Sequence, residues 1–345
     1  MTVPKKVSFV VLVFALAFFC GLIFWQKNQV SNIIFSGINL EIKEKKPLAF
    51  DPNILSWQEA TSSAAWTKRD ALSAVVFNNK IWILAGAPDY VHNQSDVWIS
   101  ENGKDWTLVL NKAPWGPRRH PCTVVFENKI WVFSGVTNGE KYLNDVWSSE
   151  DGINWQLVTE KAAWTPRKGS AATVFDGKMW ILGGVDTYGG TNDVWYSENG
   201  KDWILATAHA PWPPRVGLAV EVFDNKIWMS GGNSPGGMGK TDVWYSEDGV
   251  NWQKSGDAPW RGRHCHCFIS YNGYLWIIGG WSGYAEGFND VWYSKDGLAW
   301  EKTKTPSGWL GREDHACLVY QDKIWLAGGM LTSGARTNDV WFSIY

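Results

Sequence analysis

The residues best suited to chemistry gather in two short stretches, "RHCHC" at residues 263–267 and "REDHA" at residues 312–316. Imidazoles, thiols and carboxylates so close together are the groups that transfer protons, hold soft cations or grip polar ligands. On extended chain, alternate side chains point to opposite faces. His264 then converges only with His266, and Cys265 only with Cys267, so neither a metal site nor a cofactor is expected. The same position recurs as "RDALS" at 69–73, "RRHPC" at 118–122, "RKGSA" at 167–171 and "RVGLA" at 215–219. Function is expected where such copies disagree. The ligand-binding candidates here are Asp70, Arg119, His120, His264, His266, Glu313 and His315, with Lys168, Cys265 and Asp314 beside them. No nucleophile elbow, phosphate loop or zinc signature occurs, so no catalytic residue is assigned and binding is expected ahead of catalysis.

The elements that position these residues are announced by a repeat. Trp-x-x-Arg occurs at Trp66, Trp115, Trp164, Trp212, Trp260 and Trp309, at intervals of 48 or 49 residues. A second Trp stands thirteen residues past each Arg: Trp82, Trp131, Trp180, Trp228, Trp276 and Trp325. A third opens a phrase such as "NDVWYSENGKDW" (Trp98, Trp147, Trp195, Trp244, Trp292, Trp341), and a fourth closes it (Trp106, Trp155, Trp203, Trp252, Trp300). The sixth closing Trp is supplied upstream by Trp57 in "ILSWQEAT". Of the 26 Trp, only Trp25 and Trp281 stand outside these sets. Each unit reads as four short strands. Asn78-Asn79, Asp176-Gly177, Asp224-Asn225 and Asn272-Gly273 suit tight turns with two left-handed residues. The pattern predicts an all-β, six-bladed propeller over 54–345, with blades starting near 66, 115, 164, 212, 260 and 309. Residues 54–60 are expected to complete the last blade and so remove the open edge.

The Arg before strand one, the Gly-Gly ending strand two and the Trp on strand four resemble Kelch repeats, of the galactose-oxidase-like superfamily, across residues 54–345. Trp stands where Kelch blades often carry Tyr, and Ala85-Gly86 and Ser134-Gly135 replace two of the diglycines. The resemblance implies a frame more than a function. Sialic-acid mutarotases, six-bladed Kelch propellers with Arg and acidic residues at the channel, imply one alternative, an enzyme acting on an acidic sugar. A pure protein-interaction scaffold is another.

Strand direction puts the start of strand one, the end of strand two and the start of strand three on one face. Arg69, Arg118, Arg167, Arg215, Arg263 and Arg312 should therefore reach Asp96, Asp145, Asp193, Asp242, Asp290 and Asp339, two strand spacings or roughly 10 Å away. Six framework bridges are expected rather than a six-Arg anion pocket. The loops between strands two and three share this face and carry Tyr90, Tyr142, Tyr188, Trp281, Tyr284 and Phe288. A carbohydrate or a protein is expected there, off-centre over blades five, six and one, against Trp281 and Tyr284.

Residues 7–25 carry no charge, a length that suits a membrane-spanning signal-anchor, after a short flank at 1–6 and before a polar tether at 26–50. An extracytoplasmic, monomeric propeller follows from that reading, with secretion after signal cleavage as the alternative. Lys plus Arg number 32 against 34 acidic residues, which gives no field for nucleic acid. The five Cys show no disulfide framework in their spacing.

Overall fold

The computed structural model describes residues 50–234, 237–283 and 286–345. The expected membrane span at 7–25, the tether up to residue 49 and the candidate Tyr284 lie outside the described residues. Among those described, no helix is long and apolar enough to cross a membrane.

Short runs of Val, Ile, Phe and Trp, broken by turn residues, fold into six antiparallel sheets, five of four strands and the last with the two-residue strand Arg312–Glu313 beside its four. Blade three is representative, with strands Ala171–Phe175, Lys178–Asp186, Gly189–Ser197 and Ile204–Thr207 adjacent in that order. The turn joining its first two strands has positive φ at both residues, 48° at Asp176 and 67° at Gly177, as the sequence predicts. In blade six the strands Ala316–Tyr320, Lys323–Leu331 and Arg336–Ile344 are completed by Ser56–Thr61, with Trp57 opposite Ser343. The ring is closed by the N-terminal strand. The folded unit begins at Phe50 rather than at residue 54, because the Phe50 ring packs 4.9 Å from Tyr345, 5.8 Å from Tyr271 and 6.2 Å from Trp276.

The apolar core is divided into six clusters, one in each joint between neighbouring blades. The four Trp sets build these joints. A strand-four Trp meets the Trp of Trp-x-x-Arg edge to face, as in Trp66–Trp106 at 6.0 Å and Trp212–Trp252 at 4.5 Å. Trp309–Trp57, at 5.9 Å, makes the same pair with the N-terminal strand. The strand-two Trp slides under the turn glycine of the next blade. A Cβ on Gly200 would fall 2.1 Å from the Trp131 ring, and Gly200 also has a φ of +72°. The recurring phrase carries Gly because its neighbour's indole occupies that space.

Candidate functional site at the channel mouth

The frame of the mouth comes first. Arg167 is fully buried and crosses the end of strand two. Its Nη1 donates to the carbonyl of left-handed Gly183 at 3.1 Å, and its two Nη atoms grip Asp193 at 2.6 and 2.8 Å. The Trp195 indole donates to the same carboxylate at 2.7 Å. All six blades make the Arg–Asp pair. Ala85 and Ser134 stand in for glycine in blades one and two by accepting φ of 60° and 63°, and both carbonyls still receive the Arg.

Two residues past each framework Arg the chain reverses. Ala71, His120, Gly169, Gly217, Cys265 and Asp314 all have φ between 50° and 66°. Their backbones link blade to blade: Ala71 N–H donates to Asp314, His120 to Ala71, Gly217 to Gly169, Cys265 to Gly217 and Asp314 to Cys265, at 2.8–3.0 Å. This belt forms the neck of the channel. Below it lies a cavity of about 230 Å³, walled by first-strand residues such as Ser73, Thr123, Ala171 and Val220.

The residue just before each reversal stands on the rim, paired with the residue after the diglycine. Asp70, Arg119 and His264 sit there, bridged to Ala87, Val136 and Trp281, and so does Glu313, opposite Met330. His264 and half-buried Trp281 exchange backbone hydrogen bonds of 3.0 and 2.9 Å, so Trp281 has a place in the frame as well as a face at the rim. Asp70 accepts from Arg336 Nε at 3.1 Å, and the Arg336 guanidinium lies 4.1 Å over the Tyr90 ring. Arg119 pairs with Glu140, which also holds Lys168 at 3.1 Å. Nearer the centre, His120 Nδ1 lies 3.5 Å from Asp314, and His264 Nδ1 lies 3.7 Å from Glu313 and 3.3 Å from the Cys265 thiol.

Burial and crowding set the electrostatics. Burial, reinforced by Asp314, pushes Asp70 up to about 7 against the pull of Arg336 and Arg119. Burial, Asp314 and Asp70 push Glu313 up to about 8. Burial lowers His264 and His120 despite the nearby Asp314. At neutral pH Glu313 mostly keeps its proton, Asp70 is divided between its two forms, and the imidazoles of His264 and His120 are neutral.

Several expectations are corrected. Because Cys265 is left-handed, strict alternation fails, and His264 converges with Cys265 and Glu313 instead of His266. His266 and His315 are buried in the joints rather than offered at the rim. His266 faces Ser230 Oγ at 2.8 Å, and His315 stacks 6.3 Å from Trp309, with burial lowering it to about 3. Both rings lean on neighbouring glycines: Cβ atoms on Gly231 and Gly279 would come within 2.7 and 2.8 Å of them. Phe288 is also buried, 4.4 Å under Arg263, whereas Tyr90 and Tyr188 are open to solvent. Sequence reasoning missed Arg336, Glu140 and the Cys267–Cys317 disulfide. For the disulfide one signal existed, because the two Cys lie 50 residues apart, close to one blade repeat.

Six radial antiparallel sheets around a channel define a β-propeller. The chain is a Kelch-type propeller: the KLHDC2/KLHL20/DRC7 Kelch-repeats domain matches residues 90–253. Its fold is similar to the solved structure of YjhT, with a TM-score of 0.68 and 17% identity over 81% of this chain and 96% of that one. No curated protein matches it.

Proposed function

We propose that this Kelch-type propeller binds a polar, carbohydrate-type ligand at its channel mouth, displayed outside the cytoplasm on an N-terminal anchor at residues 7–25. The observation that carries the reading is the off-centre cluster of Asp70, His120, His264, Glu313 and Asp314 beside Trp281. Carboxyls and imidazoles bond hydroxyl groups, and an indole face covers the apolar side of a sugar ring. The opposite face offers two-residue turns and the six-residue links between strands three and four, such as residues 101–106, without the imidazole and carboxyl cluster of the mouth. The Cys267–Cys317 disulfide supports an oxidising compartment, and the uncharged run at 7–25 supports the anchor. Glycan-array binding by the detergent-purified chain tests the reading. Trp281→Ala should weaken glycan binding at least tenfold, about 1.4 kcal/mol, with an unchanged melting temperature. Capture of protein partners alone, or full binding by the variant, counts against it.

A second reading is favoured by one observation. Carboxyl groups raised to about 7 and 8 at Asp70 and Glu313 are poised to deliver protons near neutral pH, as an enzyme acting on an acidic sugar requires. Turnover of a bound acidic sugar, lost in Asp70→Asn while binding persists, would select the catalytic reading.

A further inference from the structure

We propose that His264, Cys265 and Glu313 form a binding site for a zinc-type divalent cation at the channel mouth. Their donor atoms all lie within 4.8 Å of one another. His264 Nδ1 is 3.3 Å from the Cys265 sulfur and 3.7 Å from Glu313 Oε2. With zinc–nitrogen and zinc–oxygen bonds of roughly 2.0–2.1 Å and a zinc–sulfur bond of roughly 2.3 Å, a tetrahedral centre sets its donors about 3.3–3.6 Å apart. The two separations from His264 Nδ1 stand close to that spacing and the third is no more than 4.8 Å, so side-chain rotation can close the three donors around a cation.

A second, independent observation lies in the backbone. The neck position needs a left-handed residue in every blade, and blades three and four fill it with Gly169 and Gly217. Blade five holds Cys265 there at φ 51°. That conformation turns the thiol to the same side as His264. Glu313 arrives from blade six, so the site spans a joint that the framework already fixes on both sides.

One nitrogen, one sulfur and one carboxylate oxygen suit zinc-like ions better than calcium or magnesium, which prefer oxygen alone. Three protein ligands leave a fourth position, which water or a polar ligand can take. Binding replaces the thiol proton with the metal and releases it to solvent. The other close trio, Cys267, His315 and Cys317, is not equivalent, because its two sulfurs are bonded to each other.

The full chain, purified in detergent without reductant and stripped with a chelator, is titrated with zinc and with cobalt(II). One zinc per chain should bind, and the cobalt adduct should show a thiolate-to-metal charge-transfer band. Cys265→Gly, which installs the residue that blades three and four already use, should abolish the band and weaken zinc binding at least tenfold. His264→Ala and Glu313→Gln should each weaken it by a similar factor. The double variant Cys267→Ser/Cys317→Ser should bind zinc as the parent does. Absence of stoichiometric binding, binding that survives Cys265→Gly in a folded protein, or binding lost only with the disulfide would each overturn the proposal.

Discussion

Arg167 shows what a framework residue contributes. Burial alone would push Asp193 up, yet the hydrogen bonds and charge of Arg167 hold it below the usual carboxylate range. Arg167→Ala removes the cation paired with that carboxylate in a buried setting, leaving it the Trp195 indole, and takes one of two donors from the Gly183 carbonyl, which keeps Ser170 Oγ at 2.8 Å. Its stability should fall by about 3–5 kcal/mol, read from urea unfolding. Intact stability with lost ligand binding would instead make the Arg ring part of the site. Glu221 is the opposite case. It accepts from Ser270 Oγ at 2.7 Å across the joint of blades four and five, but burial outweighs that bond and pushes it up to about 7. A raised folded pKa means that the folded state holds the proton more tightly. Stability is therefore full below the unfolded value near 4.5, and it is lost as pH rises through about 7. Glu221→Gln should flatten that slope and be more stable than the parent at pH 8 by roughly 1–3 kcal/mol, with little difference at pH 4. Parallel pH profiles for the two proteins would show that Glu221 is not the cause. At this scale the sequence made the Arg–Asp pairs legible, because both partners recur in six registers. It hid the convergence of His264 with Cys265, because a left-handed residue leaves no trace when it is not Gly. Only the glycines at positions 169 and 217 hinted that the chain reverses there.

Strands and turns were the most readable part of the molecule, and the reason is physical. Each strand alternates, each tight turn needs two positive φ values, and five of the six strand-two Trp lie under a turn glycine, so three separate constraints mark the same boundaries. The phrase "NDVWYSENGKDW" states them together: Asp193 for the Arg, Trp195 for the carboxylate, Gly200 for the indole of Trp131, Trp203 for the indole of Trp164. The rim elements were harder to read. His266 and His315 follow the reversed residues, and the turn of the chain there sends their rings into the joints. From sequence alone their neighbours in "HCHC" and "EDHA" made them look like rim residues. Arg336 was hidden for another reason. It starts a third strand in blade six and reaches Asp70 of blade one, a contact that exists only once the ring has closed.

Closure is the property that the whole molecule adds to its blades. Each blade needs a strand-four Trp against its own Trp-x-x-Arg indole and, in the joint, a cover over the strand-two Trp. At blades five and six both are supplied by the first folded residues, Trp57 on Trp309 and Phe50 on Trp276. The strand Ser56–Thr61 also covers the backbone edge of Arg336–Ile344, which would otherwise offer unpaired groups to other chains. The same closure holds Arg336 against Asp70 and blade six against blade one, so the rim depends on a segment far from it in sequence. Removing residues 50–61 from the full chain should expose two indoles and one strand edge together. The expected result is aggregation or a loss of at least 10 °C in melting temperature, which at a few degrees per kcal/mol for a domain this size corresponds to roughly 3 kcal/mol or more. A smaller cut ending at residue 49 should leave melting unchanged, since both contacts survive. A monomeric 50–61 deletion that melts with the parent would mean that the five complete blades and the three-stranded sixth hold the ring without the N-terminal strand.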